Sequence, residues 1–408
     1  MSNQFLTTQL ISKTALAMFS VNAPFIMTGS RIYQPEFSNT GYKIGSNIQF
    51  KRQNQFIIGD GAVATPQDII ETVENLTVSH QYHALVRYSI QDLTLKIDDF
   101  SRLFLQPAIQ NIIAKMEGDI SADANLQLNY YTGTPGVAIN SFGSVDLAGT
   151  RLLEQGVDIT DETYLATTLR DGSALKSGVQ SNFTPTFNDE IVRRSAIGHI
   201  SYFDVFQSQN IARHIAGAGP TLYSSDNLTV NGEVTSGNTI TLAGATASIT
   251  NYFVPGDLIS FTPTAVQCVN PLGRIPTGQG LQLVVTDFVS SSSGGALTVP
   301  VQLAGVGIIS DPTNPLRNVT NPIPDGATVN VVGSYNGNIA YPARGLDIVC
   351  PPLEKLQVPY CSVAVDPVTK LSMTVTQIGD ITNYVNFMRI DVLTGWKWHP
   401  QYAIKALS

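Results

Sequence analysis

Histidine and cysteine are the side chains of this sequence that could hold a metal or act as a nucleophile, and their spacing favours neither. His80 and His83 are three residues apart in a segment with strand or loop character, so they would not share a strand face. Cys268, Cys350 and Cys361 form no CxxC pair, and their odd number argues against a disulfide framework. We therefore expect no metal and no cofactor.

The short motifs of common enzyme classes are missing from the sequence. It contains no P-loop, no dinucleotide fingerprint, no HExxH and no GxSxG. A nucleophile and base assembled from scattered residues stays open, because sequence spacing does not test it. We expect a non-enzymatic protein without catalytic residues.

Charge is sparse and slightly acidic. Charged residues make up 13% of the 408 residues and the net charge is −8, whereas about 25% is typical of soluble domains. An acidic balance excludes a general basic field for nucleic acid. A surface this poor in charge fits two cases equally: a protein largely covered by other subunits, or a β-rich protein heavy in Ser, Thr and Asn. Few cysteines fit a reducing cytoplasm.

The elements that would position any functional surface begin with one long helix. Between residues 106 and 124, apolar residues recur at steps of three and four, which predicts an amphipathic helix. This stripe consists of Ile109, Ile112, Ile113, Met116, Ile120 and Ala124.

Two segments before this helix lack a core of their own. Residues 1–40 combine a short amphipathic helix with a polar stretch, and residues 52–81 form a polar excursion between strand patterns at 42–51 and 84–97. We interpret the excursion as a long two-stranded loop, which is at best marginally stable alone. Each segment would pack either on a neighbouring subunit or on its own domain.

The rest of the chain changes character twice. Patterns of short helices and strands predict an α+β domain up to about residue 220, including a helix at 145–155 capped by Ser144 and another at 189–195. From 221 to 340 lysine disappears and short strands predict a small β-barrel or sandwich. These strand patterns lie at 228–230, 239–242, 258–261, 281–285, 297–301 and 328–332. The α+β patterns then return, so the β-rich region is predicted to be an insertion.

This order of parts resembles the major capsid proteins of tailed bacteriophages, in the subfamily with an inserted β-barrel. Residues 98–125 are similar to that family's lead-in and spine helix, and residues 197–211, with Phe203-Asp204-Val205, resemble a phrase of its central domain. Residues 378–381 and 389–395 resemble its C-terminal strands. The hairpin at 231–238 is short and nearly uncharged, where the family has a long, charged loop.

The resemblance implies an α+β fold, the phage major-capsid (Johnson) fold. Its parts would be an arm (1–41), an extended loop with flanking strands (42–97), a spine helix with peripheral domain (98–143), a central domain (144–220), the inserted barrel (221–340) and a return to the central domain (341–408).

The resemblance also implies function and partners. Copies of the chain would form hexamers and pentamers of an icosahedral head around double-stranded DNA, with scaffolding, portal and decoration proteins as further partners and no membrane. The protein would be located in the virion and assembled in the host cytoplasm. A tail or fibre protein is the alternative, and an enzyme ranks third.

We predict subunit-interface residues on the loop, on a basic pair and on the barrel hairpin. Paired basic residues are more typical of a solvated face or a subunit salt bridge than of a nucleic-acid site. The predicted residues are Lys51, Arg52, Phe56, Asp60, Arg193, Arg194 and Glu233.

Overall fold

The computed structural model of the chain describes residues 8–37, 45, 47–62, 66–89, 101–158, 162–180, 198–358, 360–366, 370–380, 382 and 385–408. The α-helices of this part are α1 (Thr8–Asn22), α2 (Pro24–Thr28), α3 (Gln106–Gln127), α4 (Phe142–Glu154), α5 (Leu169–Gln180) and α6 (Ala218–Leu222). A π-helical turn, Ser101–Leu105, precedes α3. The helix predicted at 189–195 lies outside the described residues.

Strands make up much of the remaining structure. Those up to residue 230 are β1 (Asn47–Lys51), β2 (Val73–Thr77), β3 (His80–Ser89), β4 (Tyr131–Gly133), β5 (Thr163–Thr167), β6 (His199–Ile200), β7 (Phe203–Gln207), β8 (Arg213–His214) and β9 (Thr229–Val230). The next are β10 (Ser236–Gly237), β11 (Thr239–Ala243), β12 (Leu258–Phe261), β13 (Gln267–Val269), β14 (Pro276–Gly280), β15 (Gln282–Val285), β16 (Leu297–Gln302), β17 (Ile308–Ile309) and β18 (Val329–Val331). The last are β19 (Tyr335–Pro342), β20 (Leu346–Val349), β21 (Tyr360–Val365), β22 (Ser372–Asp380), β23 (Val385–Trp398) and β24 (Ile404–Leu407).

Contacts divide the chain into two compact units. The first unit comprises residues 1–50, 74–120 and 346–397, and the second comprises 51–73, 121–345 and 398–408.

The first unit is built on a five-stranded sheet with the order β20-β23-β22-β21, and β3 pairs with β23. Strand β22 has apolar residues at alternate positions, of which Met373 and Val375 are buried. Helix α1 packs against β21 and β22 with Ile11, Ala15 and Phe19 buried. The alternative that the arm needs a neighbouring subunit to cover its apolar face is therefore wrong for α1.

The predicted two-stranded loop has different strands from those expected. Strand β3 begins four residues before the predicted 84–97 pattern and overlaps its first part, but it pairs antiparallel with β23 and not with the strand at 42–51. Strand β2, inside the predicted polar excursion, pairs with β1 instead. Sequence periodicity located β1 and part of β3 but not β2. The pairing of β3 depended on a partner about three hundred residues away in the chain, with Tyr88 opposite Asn386.

Helix α3 carries the predicted apolar stripe on its buried side. All six residues of the stripe are buried, and the helix extends three residues beyond the predicted end, to Gln127. Helix α4 begins earlier than predicted, because Ser141 and not Ser144 is its N-cap. The Ser141 hydroxyl accepts the Ser144 N–H at 3.2 Å and the Ser144 hydroxyl accepts the Ser141 N–H, which is a capping box.

The second unit contains two large sheets. One has seven strands with the order β4-β24-β19-β5-β7-β6, and β8 pairs with β19. The other has six strands with the order β18-β12-β15-β16-β11-β9, and these are the six strand patterns predicted between 221 and 340. Its two outermost strands meet, since Val329 N–H donates to Leu228 O (3.0 Å) and Val230 N–H donates to Ala327 O (3.0 Å).

One hydrophobic cluster contains residues of both sheets of the second unit. It includes Leu152 and Leu165 of the α+β part together with Leu242 and Leu283 of the six-stranded sheet. Residues 221–340 thus share their core with the surrounding α+β part. That they form a separate inserted domain stays a prediction.

Candidate functional site

The loop between β1 and β2, residues 52–72, carries several exposed apolar side chains. We call residues 51–73 the extended loop. Near its base Arg52 N–H donates to Thr72 O (2.9 Å). Farther along, the Ile57 N–H donates to the Gln67 side chain (2.8 Å), and the Gln67 amide donates back to Ile57 O. These bonds tie the two legs of the loop to each other.

Apolar side chains on this loop point into solvent. Ile58 is 87% exposed and Phe56 is 52% exposed, and the exposed set continues with Ile69, Ile70 and Val73. Single exposed apolar residues are ordinary on protein surfaces, but a group within one loop marks an interaction site. The base of the same hairpin is different, since Leu76 is fully buried.

The structure places the predicted interface residues in several settings. Lys51 forms an exposed ion pair with Glu71 across the hairpin (2.6 Å). Arg52 donates to Ala304 O (2.7 Å) of its own chain, so this contact gives it a partner without a second copy. Phe56 and Asp60 are exposed on the loop.

The remaining predicted residues do not join this group. Glu233 is exposed in the segment 231–238, where Val234 bridges to Ile323. Arg193 and Arg194 lie outside the described residues.

Sequence reasoning missed the apolar part of the loop. Ile58, Ile69, Ile70 and Val73 were not selected, although the pairs Ile57-Ile58 and Ile69-Ile70 stand out within an otherwise polar stretch. These two aliphatic pairs, which follow neither helical nor strand periodicity, were the feature of the sequence that could have indicated an exposed apolar surface.

A group of polar side chains is buried around Lys405 in the second unit. Its Nζ donates to Asn125 O (3.0 Å) and to the Tyr335 hydroxyl (2.9 Å), and nearby Asp257 pairs with His214 Nε2 (2.8 Å). Burial lowers the pKa of Lys405 well below its usual value, although the charge of Asp257 opposes this. Burial also raises the pKa of Tyr335. All five residues are at most 8% exposed, so this network ties strands and helix together and has no access for a substrate.

The histidines and cysteines considered for metal or redox chemistry form no metal site and no disulfide among the residues that the structure describes. His80 stacks on Trp396 with ring centroids 4.4 Å apart. All three cysteines are described, and none forms a disulfide. Across the residues that the structure describes, no three His, Cys, Asp or Glu side chains gather as a metal site would require. In the same part of the chain, no helix is both long and apolar enough to span a membrane.

Comparison with known proteins identifies the class. The sequence model of the family described as P22 coat protein, gene protein 5, matches residues 68–402. The match covers well over half of the chain, and the protein therefore belongs to the P22 coat protein family. It is a structural capsid protein of the bacteriophage type and not an enzyme, as the resemblance predicted. The α+β phage major-capsid fold class is likewise confirmed.

Several solved structures are similar to this chain at low identity. The structure titled "Mycobacterium phage Che8" has a TM-score of 0.45 and 10% identity, covering 94% of this chain and 90% of that chain. The mature capsid of bacteriophage PhiM1 has a TM-score of 0.40 and 8% identity, covering 88% of this chain and 81% of that chain. The structure of a virus-like particle from Pyrococcus furiosus has a TM-score of 0.40 and 7% identity, covering 97% of this chain and 97% of that chain. The family assignment does not depend on these likenesses. No curated protein sequence matches the chain.

Proposed function

We propose that copies of this coat protein assemble into hexamers and pentamers of an icosahedral head that encloses double-stranded DNA. The observation that carries this proposal is the extended loop. Its base is held by buried residues, while Phe56, Ile58 and Ile69 are exposed. Apolar side chains exposed together on one loop mark an interaction surface, and a neighbouring copy of the chain can bury it.

The mechanism is the addition of many small contacts. Full burial of one side chain such as Ile58 is worth about 1.5–3 kcal/mol. Interfaces of permanent assemblies bury roughly 2,000 Å² or more in total. In a shell the same contact is repeated at every copy, and the predicted interface residues Lys51, Arg52, Phe56, Asp60, Arg193, Arg194 and Glu233 would contribute to such contacts.

The other partners follow from charge and from the family. Because the chain has a net charge of −8 and like charges repel, the inner surface of the shell would contact packaged DNA only weakly and nonspecifically. We propose assembly in the host cytoplasm, with scaffolding, portal and decoration proteins as further partners. We interpret residues 221–340 as an inserted barrel that stabilises the subunit, since its strands share a core with the α+β part.

The first experiment compares the wild-type chain with a variant in which a short Gly-Ser linker replaces residues 53–72. This replacement keeps both paired strands and the buried Leu76. Electron microscopy and sedimentation should show closed particles for the wild type, alone or with a scaffolding protein. The variant should keep its circular dichroism spectrum and form none.

A matched pair of substitutions controls for changes in the loop itself. Ile58→Ser should reduce particle yield, whereas Gln53→Ser, at another exposed loop position, should not. Normal particles from the linker variant would contradict the role of the loop. A wild-type chain that stays monomeric under all conditions would contradict the shell, and fibres in the micrographs would favour the alternative of a tail or fibre protein.

A further inference from the structure

The turn after β9 carries an Asn-Gly pair to which no role has been assigned. The sequence contains two such pairs, Asn231-Gly232 and Asn336-Gly337. In an Asn-Gly pair the main-chain nitrogen of the second residue can closely approach the side-chain carbonyl carbon of the first, because glycine has no Cβ to obstruct it. The two pairs have opposite surroundings, so the structure separates a reactive pair from a protected one.

The first pair is open to solvent. Asn231 and Gly232 are both exposed. Gly232 has a φ of +90°, and no heavy atom beyond its two chain neighbours lies within 4 Å of the position that a Cβ would take. The Asn231 side chain has no hydrogen-bond partner among the residues that the structure describes. It can therefore turn toward the following main-chain nitrogen, and water reaches both groups.

A carboxylate is bonded to that nitrogen. The Gly232 N–H donates to Asp325 Oδ1 at 2.7 Å, and Asp325 is exposed in the turn before β18. An amide nitrogen is a poor nucleophile while it keeps its proton, and a carboxylate oxygen at this distance can accept the proton as a general base. This bond is an observation independent of the Asn-Gly sequence, and it favours ring closure at the same turn.

The second pair is held in a strand. The Asn336 N–H donates to Ser408 O (2.9 Å), and the Asn336 side-chain amide donates to the Ser408 hydroxyl (3.3 Å). Gly337 is buried in β19 and lies opposite Leu407 of β24. Attack by the Gly337 nitrogen would require this part of the ladder to open first, and such local openings cost free energy.

We propose that Asn231 is a site of spontaneous covalent modification, at which a cyclic imide forms and opens to aspartate or isoaspartate. In the first step the Gly232 nitrogen forms a bond to Asn231 Cγ, and its proton passes to Asp325. The Cγ–Nδ2 bond breaks, and the amide nitrogen leaves with that proton as ammonia. In the second step one water molecule opens the ring. Attack at Cγ gives aspartate, and attack at the main-chain carbonyl carbon gives isoaspartate.

The modification changes the charge of the turn. The product carries one carboxylate more than the starting chain, beside the exposed carboxylates of Asp325 and Glu233. The change is one-way because ammonia is lost, so the converted fraction increases with the age of the protein. Water is the only co-reactant, and the conversion therefore does not depend on assembly.

Peptide mapping by mass spectrometry of the purified full chain, sampled during incubation in mildly alkaline buffer, tests the proposal. The peptide with Asn231 should gain the mass difference between a carboxylic acid and a carboxamide. Isoaspartyl methyltransferase should label it, because isoaspartate forms through the ring. Conversion should be at least about tenfold faster at Asn231 than at Asn336 in the same sample, since only the second site must open a ladder. Equal rates at the two sites, or no isoaspartate at position 231, would overturn the proposal.

Three variants test the parts of the mechanism. Asp325→Ala removes the acceptor of the Gly232 N–H and should slow conversion at Asn231 by at least about threefold. Glu233→Ala removes an exposed carboxylate of the same turn that does not accept this bond, and it should leave the rate unchanged. Asn231→Gln should abolish conversion at this position, because the larger ring closes far more slowly.

The rate at Asn336 is the control for folding in each variant, because a loosened chain would convert faster there. An unchanged or faster rate at Asn231 in Asp325→Ala, with an unaltered rate at Asn336, would overturn the role of Asp325 as the proton acceptor.

Discussion

Helix α1 and the extended loop are both apolar segments near the start of the chain, and only one of them is covered. In α1, Ile11 and Phe19 are at most 1% exposed, whereas Ile58 of the loop is 87% exposed. The helix packs on β21 and β22, and its Ser12 hydroxyl lies 3.1 Å from that of Ser362. The loop is tied mainly to itself.

The difference comes from geometry and not from apolar content. A helix presents one stripe that a single sheet can cover. A hairpin beyond its paired strands has two faces and, without a further layer, neither is covered. An apolar segment is therefore available to another copy only where its own chain provides no opposing surface.

The largest expected effect separates these two segments directly. Phe19→Ala should lower the free energy of unfolding of the unassembled chain by about 3–5 kcal/mol, because it leaves a cavity under α1. Ile58→Ala should change it by less than about 0.5 kcal/mol, because this side chain is exposed. Chemical denaturation followed by circular dichroism measures both, and equal losses would show that the comparison is wrong.

The second prediction concerns the buried Lys405 and the dependence of the free energy of unfolding on pH. Burial lowers the pKa of Lys405 in the folded state, while the unfolded chain keeps the ordinary lysine value of about 10.4. Between these two values the unfolded state binds more protons, so stability rises with pH, by at most about 1.4 kcal/mol per pH unit. Below the folded pKa this dependence disappears.

The variant Lys405→Met should remove that rise. The free energies of unfolding of the wild type and the variant are measured from pH 7 to 9.5, and their difference at each pH gives the contribution of Lys405. Tyrosines contribute little in this range, because it lies below their ordinary pKa. A difference that stays flat up to pH 9.5, or that falls, would contradict the lowered pKa of Lys405.

The smallest expected effect is at the exposed ion pair of the loop. Lys51→Ala should lower the free energy of unfolding by no more than about 0.5 kcal/mol, because the pair with Glu71 is solvated. The loss should shrink further in 1 M salt, where charges are screened. A loss above 2 kcal/mol, independent of salt, would show that the loop is held by its own chain more firmly than the comparison implies.

Local patterns in the sequence predicted most of the elements. Periodicity located α3 and the six strands of the sheet between 221 and 340, because each side chain follows its own element's repeat. The pair Pro255-Gly256 is typical of a type II turn, and the φ of +95° at Gly256 and the bond from Asp257 N–H to Val254 O fit that turn.

Associations between distant residues could not be predicted in the same way. Strand β3 pairs with β23, and α1 is covered by β21 and β22, which no local repeat encodes. A pocket of the second unit is a further example, since Arg52, Gln155 and Arg344, which line it, come from separate parts of the sequence. The cap of α4 was predicted at Ser144, whereas Ser141 is the N-cap, because the sequence alone does not show which hydroxyl meets the free N–H groups of the first turn.

The central claim is that the exposed face of the extended loop is covered by another copy. The variant Ile58→Cys tests it by thiol labelling in a Cys361→Ser background, because Cys361 is partly exposed whereas Cys268 and Cys350 are buried. We predict rapid labelling of position 58 in the unassembled chain and strong protection in assembled particles. Equal labelling rates in both states would contradict the account.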